Sequence, residues 1–218
     1  MVDEEDDRGR GTGKKTLIFP RYHQLRAVRT LEAQARAEGP GHNYLVEHSA
    51  GSGKSNTIGW LAHRLASLHN DEDERVFSSV VVVTDRTVLD RQLQDTIYQF
   101  EHRQGVVEKI DKDSRQLARA LRSGVPVIIT TLQKFPFVTR QLARLAEEEG
   151  AGVSGDGVPT LATRNVAVII DEAHSSQGGD AATELKGVLG GEALRQRAAE
   201  RAAEEGDADA QELFVEMA

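Results

Sequence analysis

The stretch Glu47-His48-Ser49-Ala50-Gly51-Ser52-Gly53-Lys54-Ser55 has the composition of a loop that binds phosphate groups. An apolar run, 43–46, precedes it, and apolar residues recur at helical spacing after it. We therefore predict a strand, then this loop, then the N-terminus of a helix, where unpaired backbone N–H groups point at a bound anion. The Walker pattern has glycine at the position of His48. A flexible Gly-Ser linker is the alternative interpretation.

The residue types of this loop suit a nucleoside triphosphate with Mg²⁺. Glycines at 51 and 53 let the backbone approach phosphate oxygens closely. Lys54 can reach the β- and γ-phosphates, and the Ser55 hydroxyl can occupy one coordination position of Mg²⁺. The predicted nucleotide-binding residues of the loop are Ala50, Gly51, Ser52, Gly53, Lys54 and Ser55.

A candidate adenine site precedes the loop, where Arg21-Tyr22-His23-Gln24 opens a predicted helix. The ring of Tyr22 and the amide of Gln24, which offers both a donor and an acceptor, can recognise an adenine base. An ordinary helix start on the surface is the alternative interpretation.

Short β-branched runs alternate with helical patterns along the rest of the chain. We predict strands at 79–84, 106–107, 125–130 and 166–170, and a helix that begins at a capping box of Asp113 and Gln116. This alternation indicates right-handed crossovers and a parallel sheet with helices on both faces. Ligands of such sheets bind beyond the carboxyl ends of the strands, where the phosphate loop and Asp171 both lie.

The last strand leads into Asp171-Glu172-Ala173-His174, which supplies candidate catalytic groups together with Lys54. Asp171 can hold Mg²⁺ through its water shell opposite Ser55, and Glu172 can orient and deprotonate the attacking water. His174 is placed to sense the γ-phosphate or to relay toward a neighbouring segment. A plain turn and a capped surface histidine are the alternatives for these residues taken singly. In combination with the loop they indicate an ATPase.

The composition narrows the class of protein further. With 39% hydrophobic residues over 218 positions, the chain can bury one sizeable core. It contains no cysteine, which excludes disulfides, zinc thiolate sites and thiol nucleophiles. Because the N-terminus is acidic and no run of about 18 apolar residues occurs, we expect no membrane segment and a cytoplasmic location.

The formal net charge of −8 is unevenly distributed. The two ends, 1–7 and 191–218, are acidic, which leaves 22 acidic and 24 basic residues for 8–190. The slightly basic charge of residues 8–190 is compatible with a local DNA-binding groove but is no evidence for one. We expect a disordered charged tail at 1–15, a nucleotide-binding α/β lobe at 16–190 and a short acidic helical appendage at 191–218.

The motifs at Lys54 and Asp171 resemble those of superfamily-2 helicases of the DEAH type, in which alanine often stands at the position of His48. Across roughly residues 17–190, longer motifs resemble the motor subunit of type I restriction endonucleases. These motifs are Arg21-Tyr22-His23-Gln24, His42-Asn43-Tyr44-Leu45, His48-Ser49-Ala50-Gly51-Ser52-Gly53-Lys54-Ser55, Thr84-Asp85-Arg86, Leu89-Asp90-Arg91-Gln92-Leu93, Thr130-Thr131-Leu132-Gln133-Lys134-Phe135 and Asp171-Glu172-Ala173-His174-Ser175-Ser176-Gln177-Gly178-Gly179.

The resemblance implies the first RecA-like lobe of an ATP-driven motor that moves double-stranded DNA together with modification and specificity subunits. It further implies that two motifs contact DNA phosphates, for which short hydroxyl and amide side chains at strand ends are suited. The implied DNA-contacting residues are Thr84, Asp85, Arg86, Thr130, Thr131, Gln133 and Lys134. For Thr130 and Thr131, capping of the next turn is the alternative.

The resemblance also implies a nuclease before the motor and a second lobe after it, neither of which we find in this sequence. Arginines of a second lobe would complete the ATP site, and an arginine finger contributes about 10³ to 10⁵ in rate to phosphoryl transfer. We therefore expect the isolated chain to bind ATP–Mg²⁺ weakly and to be nearly inactive. The alternatives are a nucleotide-binding or interaction module without motor activity and another superfamily-2 lobe, such as one that acts on RNA.

Overall fold

The computed structural model describes residues 2–5, 11–84, 93, 95–98, 105–135, 137–148 and 164–171. Its strands are β1 Val2–Glu5, β2 Gly11–Thr16, β3 Ser79–Thr84, β4 Val107–Lys109, β5 Val127–Thr131 and β6 Val166–Ile170. Its helices are α1 Tyr22–Glu38, α2 Lys54–Ala66, α3 Ser114–Ser123 and α4 Val138–Glu148, with a 3-10 turn at Leu132–Lys134.

Strands β3 to β6 form a parallel sheet in the order β4-β5-β3-β6. In the centre of the sheet, Val81 lies between Ile128 of β5 and Val168 of β6. All residues of β3 and β5 are buried, as expected for strands that are covered on both faces. The predicted α/β lobe with a parallel sheet is confirmed.

Successive residues of β3 contribute to two hydrophobic cores, because side chains of a strand alternate between the faces of the sheet. Val80 and Val82 pack in the core formed with α1 and α2. Val81 and Val83 pack in the core formed with α3 and α4. Leu93 and Ile97, which belong to a predicted helix and have helical backbone, are buried in the first core. Helices therefore cover both faces of the sheet.

The segment 43–46 does not form the strand that its apolar residues predicted. Leu45 is 81% exposed, and among the described residues β6 pairs with β3 alone. The prediction was wrong because a short, mainly apolar run carries no information on whether a partner strand lies in register beside it.

The N-terminal residues also differ from the expectation of a disordered tail at 1–15. The structure pairs β1 with β2 as an antiparallel two-stranded ribbon, with Val2 opposite Thr16 and a shift in register between Asp3 and Glu5. A ribbon of this kind requires only backbone N–H and C=O groups, which polar and glycine-rich segments also possess. Composition alone therefore did not reveal it.

Several predicted features lie outside the described residues. They include the helical appendage at 191–218 and most of the helix predicted after Thr87. In the part of the chain that the structure describes, the helices are too short or too polar to cross a membrane.

Candidate nucleotide-binding site

The phosphate loop ends at Gly53, which is the N-cap of α2 and has a left-handed backbone with φ of 83°. Gly51 has a φ of 73°, and glycine adopts both conformations at little cost. Within the loop, the Ser52 N–H donates to the carbonyl of Ser49 at 3.2 Å. Lys54 and Ser55 follow as the first residues of α2. The structure thus contains the predicted sequence of glycine loop and helix N-terminus, where backbone N–H groups favour an anion.

Lys54 and Asp171 form an ion pair at one edge of the sheet. Asp171 directly follows β6, and its N–H donates to the carbonyl of Val83 at 2.9 Å. The Nζ atom of Lys54 lies 2.9 Å from Oδ1 of Asp171, whose side chain is only 12% exposed. The structure therefore brings the phosphate loop and the aspartate that follows β6 together, with Ser55 next to Lys54 in the helix.

The carboxylate of Asp171 suits a ligand that carries positive charge. Its Oδ1 atom is buried and, apart from the ion pair with Lys54, has no hydrogen-bond partner among the described residues. The described part of the chain contains no cluster of three or more His, Asp or Glu side chains that could enclose a metal ion. Mg²⁺ needs no such cluster, since it binds through one or two protein ligands, waters and substrate phosphates. Ser55 and Asp171 fit that mode of binding.

Gln24 is buried, with only 3% of its surface exposed, and it forms hydrogen bonds with the backbone of the phosphate loop. Its Nε2 donates to the carbonyl of Gly53 at 2.9 Å and to that of Ser52 at 3.3 Å. Its Oε1 accepts the N–H of Arg21 at 2.8 Å. A Cβ atom on Gly53 would lie 2.5 Å from Nε2. The sequence assigned Gln24 to adenine, whereas in this structure its amide binds the loop, and adenine contact stays a prediction.

Two histidines that the sequence did not assign to the site contact the loop. His23 Nε2 lies 3.1 Å from the carbonyl oxygen of Ser52, and His48 Nδ1 lies 3.0 Å from Ser52 Oγ. The two rings meet edge to face, with centroids 5.9 Å apart. Burial lowers the pKa of His48, and the charges of His23 and Lys54 lower it further. The sequence could have indicated the contact between His48 and Ser52, because the two residues are four positions apart in a tight loop.

Tyr22, the second residue assigned to adenine, is 79% exposed at the start of α1. It lines an open groove of about 560 Å³ between α1 and the segment 43–47. Its ring is therefore accessible to a ligand that lies beside the phosphate loop.

The residues assigned to DNA contact fall into three groups. Thr84, Thr130 and Thr131 are at most 4% exposed, so their hydroxyls are not accessible to DNA in this arrangement. Gln133 is exposed, and the Nζ atom of Lys134 donates to the carbonyls of Asp111 and Lys112. DNA contact by all of these residues stays a prediction.

Four further assigned residues lie outside the described part of the chain. They are Asp85, Arg86, Glu172 and His174.

The parallel sheet, the phosphate loop at the start of α2 and the aspartate after β6 define a RecA-like nucleotide-binding lobe. The sequence profile described as SWI2/SNF2 ATPase matches residues 23–194. The chain belongs to this ATPase family.

The chain is also similar to endonuclease subunits of type I restriction enzymes. It is 31% identical over 180 residues to such a subunit from Staphylococcus aureus, a match that covers 83% of this chain and 16% of that protein. It is 32% identical over 183 residues to the HindI endonuclease subunit of Haemophilus influenzae, covering 82% and 16%. A subunit from Staphylococcus saprophyticus is 27% identical over 164 residues, covering 75% and 15%. The resemblance to this class of subunit is confirmed, and the chain spans about one sixth of the length of these relatives.

Proposed function

We propose that this chain is the ATP-binding lobe of a motor that moves double-stranded DNA within a type I restriction complex. Membership of the SWI2/SNF2 ATPase family supports an ATP-driven role, and the similarity to type I restriction endonuclease subunits supports the biological setting. The observation that supports the proposal most is the 2.9 Å contact between Lys54 and Asp171, because a shared triphosphate site requires these two side chains to lie close together.

The phosphate loop binds the triphosphate of ATP in this proposal. The backbone around Gly51 and Gly53 and the N-terminus of α2 provide the anion site. Lys54 would bind the β- and γ-phosphates in place of its contact with Asp171, and Ser55 and Asp171 would hold Mg²⁺. The ion supplies positive charge that neutralises the phosphates as the γ-phosphoryl group is transferred.

Glu172 and His174 complete the proposed hydrolytic group. Glu172 follows Asp171 directly, and its carboxylate orients and deprotonates the attacking water. His174 senses the state of the γ-phosphate. Tyr22 contacts the adenine base from the groove beside α1, where its exposed ring is available for stacking.

Duplex DNA is the proposed track of the motor. Among the described residues assigned to DNA contact, Gln133 and Lys134 lie at least partly at the surface, and they follow β5 near the carboxyl edge of the sheet. Modification and specificity subunits are the proposed partners, and a cytoplasmic location follows from action on incoming foreign DNA.

Nucleotide binding by the full chain tests the ATP site. A fluorescent ATP analogue with Mg²⁺ is titrated into the wild type, into Lys54→Ala and into Lys112→Ala, which removes a distant exposed lysine as a matched control. Loss of a charge-assisted contact worth about 1.5–3 kcal/mol weakens binding about ten- to hundredfold. Unchanged affinity of Lys54→Ala would show that the loop is not a phosphate site.

ATP hydrolysis tests the motor role. The second lobe of a type I restriction subunit is added in trans, and turnover is measured with duplex DNA, with RNA and without nucleic acid. We expect duplex DNA to stimulate turnover and Lys54→Ala to abolish it. Stimulation by RNA alone would instead indicate a different class of motor.

A further inference from the structure

One part of the chain has a charge opposite to that of the whole. Residues 112–148, which extend to the end of α4, contain seven basic residues and three acidic ones, Asp113, Glu147 and Glu148, although the formal net charge of the chain is −8. The basic residues are Lys112, Arg115, Arg119, Arg122, Lys134, Arg140 and Arg144. Since a solvated helix usually mixes both signs at neighbouring turns, the absence of acids from α3 is a notable departure.

The fold gathers five of these cations on one side of the sheet. On α3, Arg115, Arg119 and Arg122 recur at spacings of four and three and lie opposite the buried face of that helix. On α4, Arg140 and Arg144 are exposed and likewise lie away from the core. The two helices share one hydrophobic core. We call the surface formed by these five arginine side chains the α3–α4 basic surface.

An aromatic side chain with an unusual backbone lies beside this surface. Phe137 has a φ of 81° and is 60% exposed, and the guanidinium carbon of Arg140 lies 5.8 Å from the centre of its ring. A left-handed backbone costs a non-glycine residue about 1–2 kcal/mol, and residues under such strain cluster at functional sites. The contact also holds the Arg140 guanidinium in place, since a cation over an aromatic face is attracted to it.

We propose that the α3–α4 basic surface binds the phosphate backbone of duplex DNA, as a contact additional to the motif residues. This proposal rests on the proposed function, which makes duplex DNA the partner of the chain. Arg115 to Arg122 span about 10 Å of helix, and duplex DNA presents one negative charge per about 1.7 Å of its axis. Arginine binds phosphate oxygens through a planar fork of donors. Contacts of this type position DNA without reading its sequence.

The test compares equal losses of charge on opposite faces of the sheet. The double variant Arg119→Gln/Arg144→Gln removes two cations from the α3–α4 basic surface. The double variant Arg29→Gln/Arg36→Gln removes two exposed cations from α1, which packs in the other core. Thermal unfolding of both variants checks that they remain folded. Affinity for two duplexes of unrelated sequence is then measured with the full chain over a range of salt concentrations.

We expect the α3–α4 variant to bind both duplexes about ten- to fiftyfold more weakly at about 0.1 M salt, with the slope of log affinity against log salt reduced by about 2. The α1 variant should stay within about threefold of the wild type. Arg119→Lys/Arg144→Lys, which keeps both charges, should retain most of the salt dependence. Equal effects of the two glutamine variants, or none from the α3–α4 variant, would overturn the proposal.

Two further binding measurements distinguish duplex DNA from other partners and distinguish the basic surface from the ATP site. If the α3–α4 variant loses affinity for polyglutamate or duplex RNA but keeps it for duplex DNA, the surface serves another partner and the proposal fails. The fluorescent ATP analogue is titrated into the same variants. If the α3–α4 variant keeps both nucleotide binding and DNA binding, the proposal for the surface is refuted but the ATP site is not. If the wild type binds nucleotide but no duplex, both the proposed surface and the proposed role of duplex DNA are refuted.

Discussion

The ammonium nitrogen of Lys54 lies 2.9 Å from Oδ1 of Asp171, although the two residues are far apart in the sequence, at the start of α2 and directly after β6. Their contact depends on the parallel sheet, whose register places the end of β6 beside the end of β3. Because Lys54 is 36% exposed, solvent screens the pair and its contribution to stability is small, about 1 kcal/mol or less. Its main consequence is the position of the two side chains.

Substitution Asp171→Asn is expected to separate metal dependence from folding. The amide keeps the shape of the side chain but loses the negative charge that attracts Mg²⁺. We expect the free energy of unfolding to change by less than about 1 kcal/mol, while Mg²⁺ ceases to strengthen binding of the ATP analogue. Titration of Mg²⁺ at fixed analogue measures this, with the exposed Asp111→Asn as control. An unaltered Mg²⁺ response in Asp171→Asn would contradict the assignment.

Substitution Gly53→Ala is expected to distort the phosphate loop for two reasons. The left-handed φ of 83° is unfavourable for alanine, and the added Cβ would meet Gln24 Nε2 at 2.5 Å. Gly51→Ala is the matched control, because Gly51 has a similar φ of 73° but nothing within 4 Å of the added atom. We expect urea unfolding to show a loss of about 1 kcal/mol for Gly51→Ala and a larger loss for Gly53→Ala.

The collision with Gln24 can be isolated by a double variant. In Gly53→Ala/Gln24→Ala the amide that blocks the new Cβ is absent, so the loss of stability should be smaller than the sum of the two single losses. Strictly additive losses would mean that backbone strain alone accounts for Gly53→Ala.

Substitution Gln24→Leu is expected to release the loop from α1. It removes the donor to the carbonyls of Ser52 and Gly53 and the acceptor for the Arg21 N–H. The Arg21 N–H is left without a partner, whereas the Ser52 carbonyl keeps His23 Nε2 and the Gly53 carbonyl keeps the N–H groups of Asn56 and Thr57. We expect a loss of about 1–2 kcal/mol, and affinity for the ATP analogue should fall with it. Gln34→Leu, at an exposed position of the same helix, should leave both the urea midpoint and nucleotide affinity nearly unchanged. If the two variants behave alike, Gln24 does not hold the loop.

Stability should fall in mild acid because of His48. Its pKa is lowered by burial and by the charges of His23 and Lys54, so the folded chain binds a proton at this ring less readily than the unfolded chain does. The unfolded ring titrates near pH 6.5. The stabilising contribution of neutral His48 is therefore complete above that pH and is lost as the pH falls from there through the lowered folded value.

Urea unfolding at about pH 7.5 and about pH 5.5 measures this dependence. We expect His48→Asn to lose less stability on acidification than the wild type does, because asparagine has no proton to take up. His69→Asn, at an exposed position, should keep the response of the wild type. A steeper loss in His48→Asn than in the wild type would have the wrong sign.

The sequence predicted most of the regular elements of the lobe. Runs of β-branched residues located β3, β5 and β6, and Asp113 caps α3 as predicted, with the Gln116 N–H donating to Asp113 Oδ1 at 2.9 Å. The Gln116 side chain accepts from the Lys112 N–H instead of the Asp113 N–H, so only half of the capping box forms. These features depend on neighbours a few positions away, which local patterns record. The failed strand at 43–46 and the unexpected β1–β2 ribbon depend on pairing between separate segments, which those patterns do not record.

By itself the sequence determined the parallel α/β lobe, the glycine loop before α2 and the aspartate that follows β6, because periodicity and residue type fix local conformation. The sequence also predicted that the loop and Asp171 lie at the same edge of the sheet. Only the tertiary structure decided that Lys54 pairs directly with Asp171, that Gln24 binds the loop, and that the arginines of α3 and α4 lie on one side. Each of these contacts joins segments whose distance is set by how the sheet orders its strands and how the helices pack against it, and no local pattern encodes that distance.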